Sequence, residues 1–160
     1  MTQHEKRLID EHVQNLGKIR KVVPEDGHCM LHAFVLGLEN SQYKLVELLK
    51  PMIKKEVMDN INFYTPFLNN GWEAKLDDYL RHKKYDASVV DLMYHILANI
   101  TNSSVVVFYL QDNNVCELPK IHPRNGDSGC VIYVSRIGQH YDAVLDIESE
   151  KRVKFEGRFR

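Results

Sequence analysis

Cysteine is scarce in this chain. There are three, Cys29, Cys116 and Cys130, and an odd count gives no complete disulfide framework. Nor is there a run approaching the ~20 apolar residues that a membrane-spanning helix needs. The opening MTQHEKRLIDEHV is charged and has no apolar centre of the kind a secretory leader carries. These features point to a reducing compartment, cytoplasmic or nuclear. An excess charge of one sign is also missing. The net charge of −1 nominates neither nucleic acid nor a membrane as partner. Only 151–160 departs from that balance, with Lys151, Arg152, Lys154, Arg158 and Arg160 against Glu156. A solvated basic tail or a last edge strand accounts for it. No internal repeat, low-complexity segment or linker divides the chain, so 1–160 reads as one domain.

Within 160 residues, 44% apolar content is enough for a core, and periodicity says how it is built. Glu5 to Leu16 sets Leu8, Ile9, Val13 and Leu16 on one helical face and ends at Gly17. Ile19 to Val23 reads as extended. A helix follows from Cys29 to between Gly37 and Asn40, and Ser41 is placed to cap the next. The helical period of Leu45 to Val57 runs through Pro51, where a kink or a fresh start is expected. Asn60 to Gly71 reads as an exposed connection. Helices are expected at Trp72 to Leu80 and at Asp86 to Ile100, the second with a broad apolar face. Ser104 to Tyr109 is a β-branched strand, Val115 to Ile121 a weaker one, and 121–129 a loop. Val131 to Ser135 and Tyr141 to Ile147 pair as a hairpin through Gly138. Helices first, then a mostly antiparallel sheet with one helix interposed, give an α+β domain.

Chemistry concentrates in Pro24 to Leu38. Pro24-Glu25-Asp26-Gly27 is a turn, and from Cys29 the apolar residues recur at helical spacing. Cys29 therefore stands where a loop becomes a helix. Unpaired N–H groups and the helix dipole there favour a thiolate, the nucleophilic form. The turn Asp26, Gly27, His28, Cys29 also offers N–H groups for a developing oxyanion. A base comes from the other end of the chain. In a strand, His140 and Asp142 share one face, so the carboxylate can hold the imidazole Nδ1–H while Nε2 meets the thiol. That is the nucleophile, base and orienter set of cysteine acyl hydrolases.

Asp26-Gly27-His28-Cys29 with its apolar helix resembles the D-G-N-C segment of the OTU (ovarian tumour) cysteine proteases. His140-Tyr141-Asp142-Ala143-Val144 resembles that family's closing H-Y-D-x-V strand. Asp91 to Tyr109 resembles the helix and core strand between them. The resemblance spans roughly Val22 to Leu145. His28 stands where the family usually has Asn, and His32 where an Arg often follows. Arg81 to Ala87 lacks the Trp-Gly pair commonly seen before the second helix.

The resemblance implies a papain-like α+β fold, a small mostly antiparallel sheet packed between helices, with the Cys helix against the sheet edge that carries the His. It further implies a deubiquitinase that cleaves the isopeptide bond after the C-terminal glycine of ubiquitin or a ubiquitin-like modifier, without a cofactor. Cys29, His140 and Asp142 would be its triad, with Asp26 as a turn-shaping residue. Glu25 and Tyr141 are candidates for lining a channel that takes the modifier's C-terminal tail. A polyprotein-cleaving viral or mobile-element protease and a non-catalytic ubiquitin-binding module are the alternatives. His28 and His32, four apart, suggest a metal pair. With neither zinc-finger spacing nor H-E-x-x-H present, and His122 or Cys116 only an arbitrary third ligand, no metal is expected. Cys116 and Cys130, in or beside apolar strands, are expected to be structural.

Overall fold

The computed structural model describes residues 2–38 and 46–147. The expected Ser41 cap, the last turn beyond Leu38, Leu45 and the basic tail 151–160 lie outside the described residues.

The chain opens with helix α1 (Gln3–Asn15). The Thr2 hydroxyl accepts the Glu5 N–H, and the Glu5 carboxylate accepts the Thr2 N–H, so two orphan donors of the first turn are satisfied reciprocally. Gly17, at φ 74°, ends the helix in a conformation that glycine adopts at little cost. The chain turns back as strand β1 (Lys18–Lys21). Helices α2 (Cys29–Gly37), α3 (Val46–Asp59), α4 (Ile61–Tyr64), α5 (Trp72–His82) and α6 (Ala87–Thr101) follow. Strands β2 (Ser104–Gln111), β3 (Asn114–Glu117), β4 (Val131–Ile137) and β5 (His140–Asp146) complete the described chain.

The five strands form one sheet in the order β1-β5-β4-β2-β3. Only β2 and β4 pair in parallel; the other neighbours are antiparallel. Residue alternation sorts the side chains to two faces. Val106, Phe108 and Val144 pack with Ile9 and Val13 of α1. Val105, Val107, Ile132, Val134, Tyr141 and Ala143 join the helical side, among Leu31, Phe34, Ile53, Leu76 and Ile96. With both faces covered, Ser104 to Phe108 is buried at every residue. Each fully buried aliphatic or aromatic side chain contributes about 1.5–3 kcal/mol of transfer free energy. The fold is α+β with a mixed, predominantly antiparallel sheet, as the order of elements implies.

Two local expectations change. Helix α3 passes through Pro51 without a fresh start. Pro51 is on the exposed side, where water can take the Glu47 carbonyl that the ring leaves without a donor. Asn60 to Gly71 is not simply an exposed connection: α4 and a 3₁₀ turn at Thr65–Phe67 occupy it, and Tyr64 is buried. The Tyr64 hydroxyl accepts from Asn99 Nδ2 at 2.7 Å, which makes an aromatic in a polar stretch part of the core. Cys116 lies in β3, half-buried, and Cys130 directly precedes β4, exposed, so both stand in or beside strands as expected.

Candidate active site

Strand β1 stops at Lys21, opposite Ala143, whereas β5 begins three residues earlier at His140. The first residues of β5 therefore have β4 on one side and no β1 partner on the other. The start of α2 fills that gap. Cys29 Sγ accepts the Tyr141 N–H at 3.3 Å, and its thiol donates to the Gln139 carbonyl at 3.7 Å. The sulfur thus lies along the backbone that carries His140, at the locally open sheet edge. Among the described residues no hydrogen bond joins Sγ to the His140 ring. Burial pushes the Cys29 thiol up from its ordinary value, against the Tyr141 and Met30 N–H groups that lower it. Desolvation thus opposes the thiolate that the helix start favours.

The Cys loop is held from α5. Asp26 Oδ1 accepts the His28 N–H at 2.8 Å, and Oδ2 accepts from His32 Nε2 at 3.1 Å and Lys83 Nζ at 3.2 Å. Burial pushes the Asp26 carboxyl up, but these donors together outweigh it and hold it at about 2. The Cys29 N–H is taken by the Asp26 carbonyl at 3.2 Å. Of the turn expected to hold an oxyanion, His28 and Cys29 thus have their N–H groups engaged inside the turn. Among the described residues nothing accepts from Gly27 N–H. Gly27 has no alternative: a Cβ there would lie 2.1 Å from the Lys83 carbonyl oxygen. His28 donates from Nε2 to the Tyr79 carbonyl at 2.6 Å and packs edge-on against the Tyr79 ring. Burial drives the His28 imidazole toward its neutral form. Both histidines of the suspected metal pair are thus engaged within the protein. Among the described residues no three His, Cys, Asp or Glu side chains converge to hold a metal ion.

On β5, the imidazole and carboxylate meet. His140 Nε2 lies 2.8 Å from Asp142 Oδ1, and since a carboxylate only accepts, Nε2 carries the hydrogen. The ring is therefore turned opposite to the expected sense, and among the described residues nothing bonds Nδ1. Asp142 is 2% exposed and accepts two further bonds, from the Val23 N–H to Oδ1 at 3.0 Å and from Arg20 Nη1 to Oδ2 at 2.8 Å. Arg20 in turn clasps Asp10 of α1 at 2.7 and 3.1 Å. Its hydrogen bond to Asp10, opposed by desolvation and aided by Asp142, raises the guanidinium further above its ordinary value. Asp10 and Arg20 did not stand out in the sequence. An alternating reading of Ile19 to Lys21 isolates Arg20 on one face, but nothing local reveals its partners.

A cleft of about 400 Å³ opens over Cys29, lined among others by Glu25, Gly27, Tyr79, Tyr85, Gln139 and His140. Both channel candidates border it, though differently. Glu25 belongs to the approach loop, whereas the Tyr141 ring is buried beneath, its hydroxyl bonded to that of Tyr94. Among the described residues no hydrogen bond or ion pair joins Asp26 to His140.

No family model matches the sequence. No curated protein sequence matches it either. Solved structures do. The OTU domain of OTUD1 superposes with a TM-score of 0.68 at 16% identity, over 89% of this chain and 95% of that one. The viral OTU domain protease of Dera Ghazi Khan virus gives 0.62 at 17%, over 82% of each chain. The Hazara virus OTU, solved bound to ubiquitin, gives 0.56 at 18%, over 82% of each. The chain has the OTU-domain fold.

Proposed function

We propose that the chain is a cysteine isopeptidase of OTU type that removes ubiquitin or a ubiquitin-like modifier from lysine side chains. The observation that carries this reading is the seat of Cys29 Sγ on the Gln139–Tyr141 backbone, bracketing His140, whose other nitrogen is held by Asp142. The fold neighbours include an OTU domain bound to ubiquitin, which supports the choice of modifier. His140 Nδ1 takes the thiol proton as Sγ attacks the carbonyl of the modifier's terminal glycine. The Gly27 N–H is the available donor for the oxyanion. As the C–N bond breaks, His140 returns the proton to the departing lysine amine, leaving a thioester. Water, deprotonated by Nδ1, hydrolyses it to the carboxylate and restores the thiol. Because no hydrogen bond joins Sγ to the ring among the described residues, a side-chain rotation at Cys29 or His140 precedes transfer.

A ubiquitin carrying a C-terminal electrophile is expected to label Cys29 alone, with labelling lost in Cys29→Ala while circular dichroism and melting stay native. Labelling of exposed Cys130 to an equal extent, or none on folded protein, removes the isopeptidase reading. In the second case a ubiquitin-binding module would remain.

A further inference from the structure

We propose that Arg20, clamped by Asp10, is a positioning residue that fixes Asp142 and through it His140, so that α1 and β1 work as a support for the base. The inference rests on the isopeptidase reading for what the base does, but its geometry is independent of the substrate. Asp142 presents its two oxygens to three donors from three places: Val23 ahead of the Cys loop, His140 on its own strand and Arg20 on β1. Among the described residues only Arg20 serves Oδ2. The Arg20 side chain is 8% exposed, so its charge acts where water screens little. A guanidinium alone would be free to rotate about its long stem. The fork of Nε and Nη2 on Asp10 removes that freedom, leaving Nη1 aimed at Oδ2.

The charged and titratable groups around this chain of contacts include, among the described residues, Asp10 from α1, Arg20 from β1, Cys29 from α2, Asp26 from the loop, and His140 with Asp142 on β5. Arg20 is the cation bonded to Asp142. Without it, Oδ2 is a buried acceptor with no donor, and protonation becomes its easiest relief. A residue 142 protonated on Oδ2 keeps Oδ1 as an acceptor but loses the charge that stabilises the imidazolium. The working form is then lost at a higher pH than in the native protein. Lys at position 20 keeps a charge but lacks the fork that serves two carboxylates at once.

The test compares wild type, Arg20→Met and Arg20→Lys on a fluorogenic ubiquitin substrate across pH, with iodoacetamide alkylation of Cys29 as a reaction that needs no ubiquitin. Arg20→Met is expected to lower kcat about tenfold or more with KM within about twofold, and to move the acid limb of kcat/KM and of alkylation to higher pH. Arg20→Lys should lie between, with a partial return of kcat and of the acid limb. If Arg20→Met does not fold, Arg20→Lys decides alone: a few-fold lower kcat with a shifted acid limb supports the role. Wild-type kcat and an unmoved acid limb in a folded Arg20 variant overturn it. Should wild type prove inert toward ubiquitin, the isopeptidase reading fails, and the alkylation profile of the same variants still decides for or against Arg20.

Discussion

Asp26 and Asp142 flank Cys29 from a loop and from a strand, and the protein treats them differently. Asp26 is 31% exposed and bonds a backbone N–H, His32 and Lys83, all of which shape the turn. Asp142 is 2% exposed and sits between an imidazole and a guanidinium. The loop is fixed by contacts to α5 that leave its carboxylate away from the base. The strand is fixed by its pleat, with its carboxylate built into a charged relay of contacts. Proximity to a nucleophile therefore does not assign a role. What a carboxylate is bonded to does.

The sharpest way to break this comparison is to neutralise Asp142. An Asn there keeps the shape but offers one acceptor oxygen where Asp142 has two. Its NH₂ must then face either Arg20 or the pair Val23 N–H and His140 Nε2–H, donor against donor. A lost charged hydrogen bond at a buried site is worth about 1.5–3 kcal/mol, so Asp142→Asn should lower kcat about ten- to hundredfold with KM nearly unchanged. Steady-state kinetics on a fluorogenic ubiquitin substrate reads the split. A near-normal Asp142→Asn beside a crippled Asp26→Asn would reverse the two roles.

A smaller but still large effect is expected from the loop's contact with α5. In Gly27→Ala the new Cβ meets the Lys83 carbonyl oxygen at 2.1 Å and the Lys83 Cβ at 2.5 Å. Lys83 is itself left-handed, at φ 56°, as the cap of α5, so neither backbone yields easily. Overpacking of this kind costs about 1–3 kcal/mol. Because Cys29 follows two residues later, activity should fall together with stability, read by urea unfolding and kcat/KM on the same samples. Wild-type values for both would show that the loop is not locked to α5.

The strand half of the site was legible in the sequence because its information is local. Residues two apart on a strand share a face, so His140 and Asp142 meet whatever the rest of the chain does. The same rule does not say which ring nitrogen faces the carboxylate, and that expectation was reversed. The loop half was legible only in outline. Cys29 does begin α2, but the partners that consume the N–H groups of His28 and Cys29 depend on how the turn closes. Beyond the local His32, the residues that hold Asp26 and His28 and crowd Gly27 are Lys83 and Tyr79, more than fifty residues away. The surroundings of the thiol were only half legible for a related reason. A helix terminus can be read from spacing, whereas desolvation depends on what folds over the sulfur. Tyr64 shows the same limit in the fold, since composition suggested exposure where tertiary packing buries the ring.

The gentlest probe separates the two aspartates by stability rather than rate. Asp26 has its carboxyl lowered from 3.8 to about 2 in the folded protein. A depressed carboxylate contributes stability that is complete above its unfolded value and is lost as pH falls through the folded one. The window is thus about pH 4 down to about pH 2. Taken at face value the shift corresponds to about 2 kcal/mol, and solvent screening of a side chain this open to water reduces it to roughly 1 kcal/mol. Asp26→Asn retains an oxygen for the His28 N–H but loses the charge that faces Lys83 and His32. Its unfolding free energy should therefore lie about 1 kcal/mol below wild type at pH 6, and the two should converge as the pH approaches 2. Urea titrations at pH 6, 4 and 2.5 measure this. A gap that stays constant with pH would mean that the turn's hydrogen bonds, not the charge of Asp26, hold the Cys loop, and Lys83 would then steady it only through its backbone.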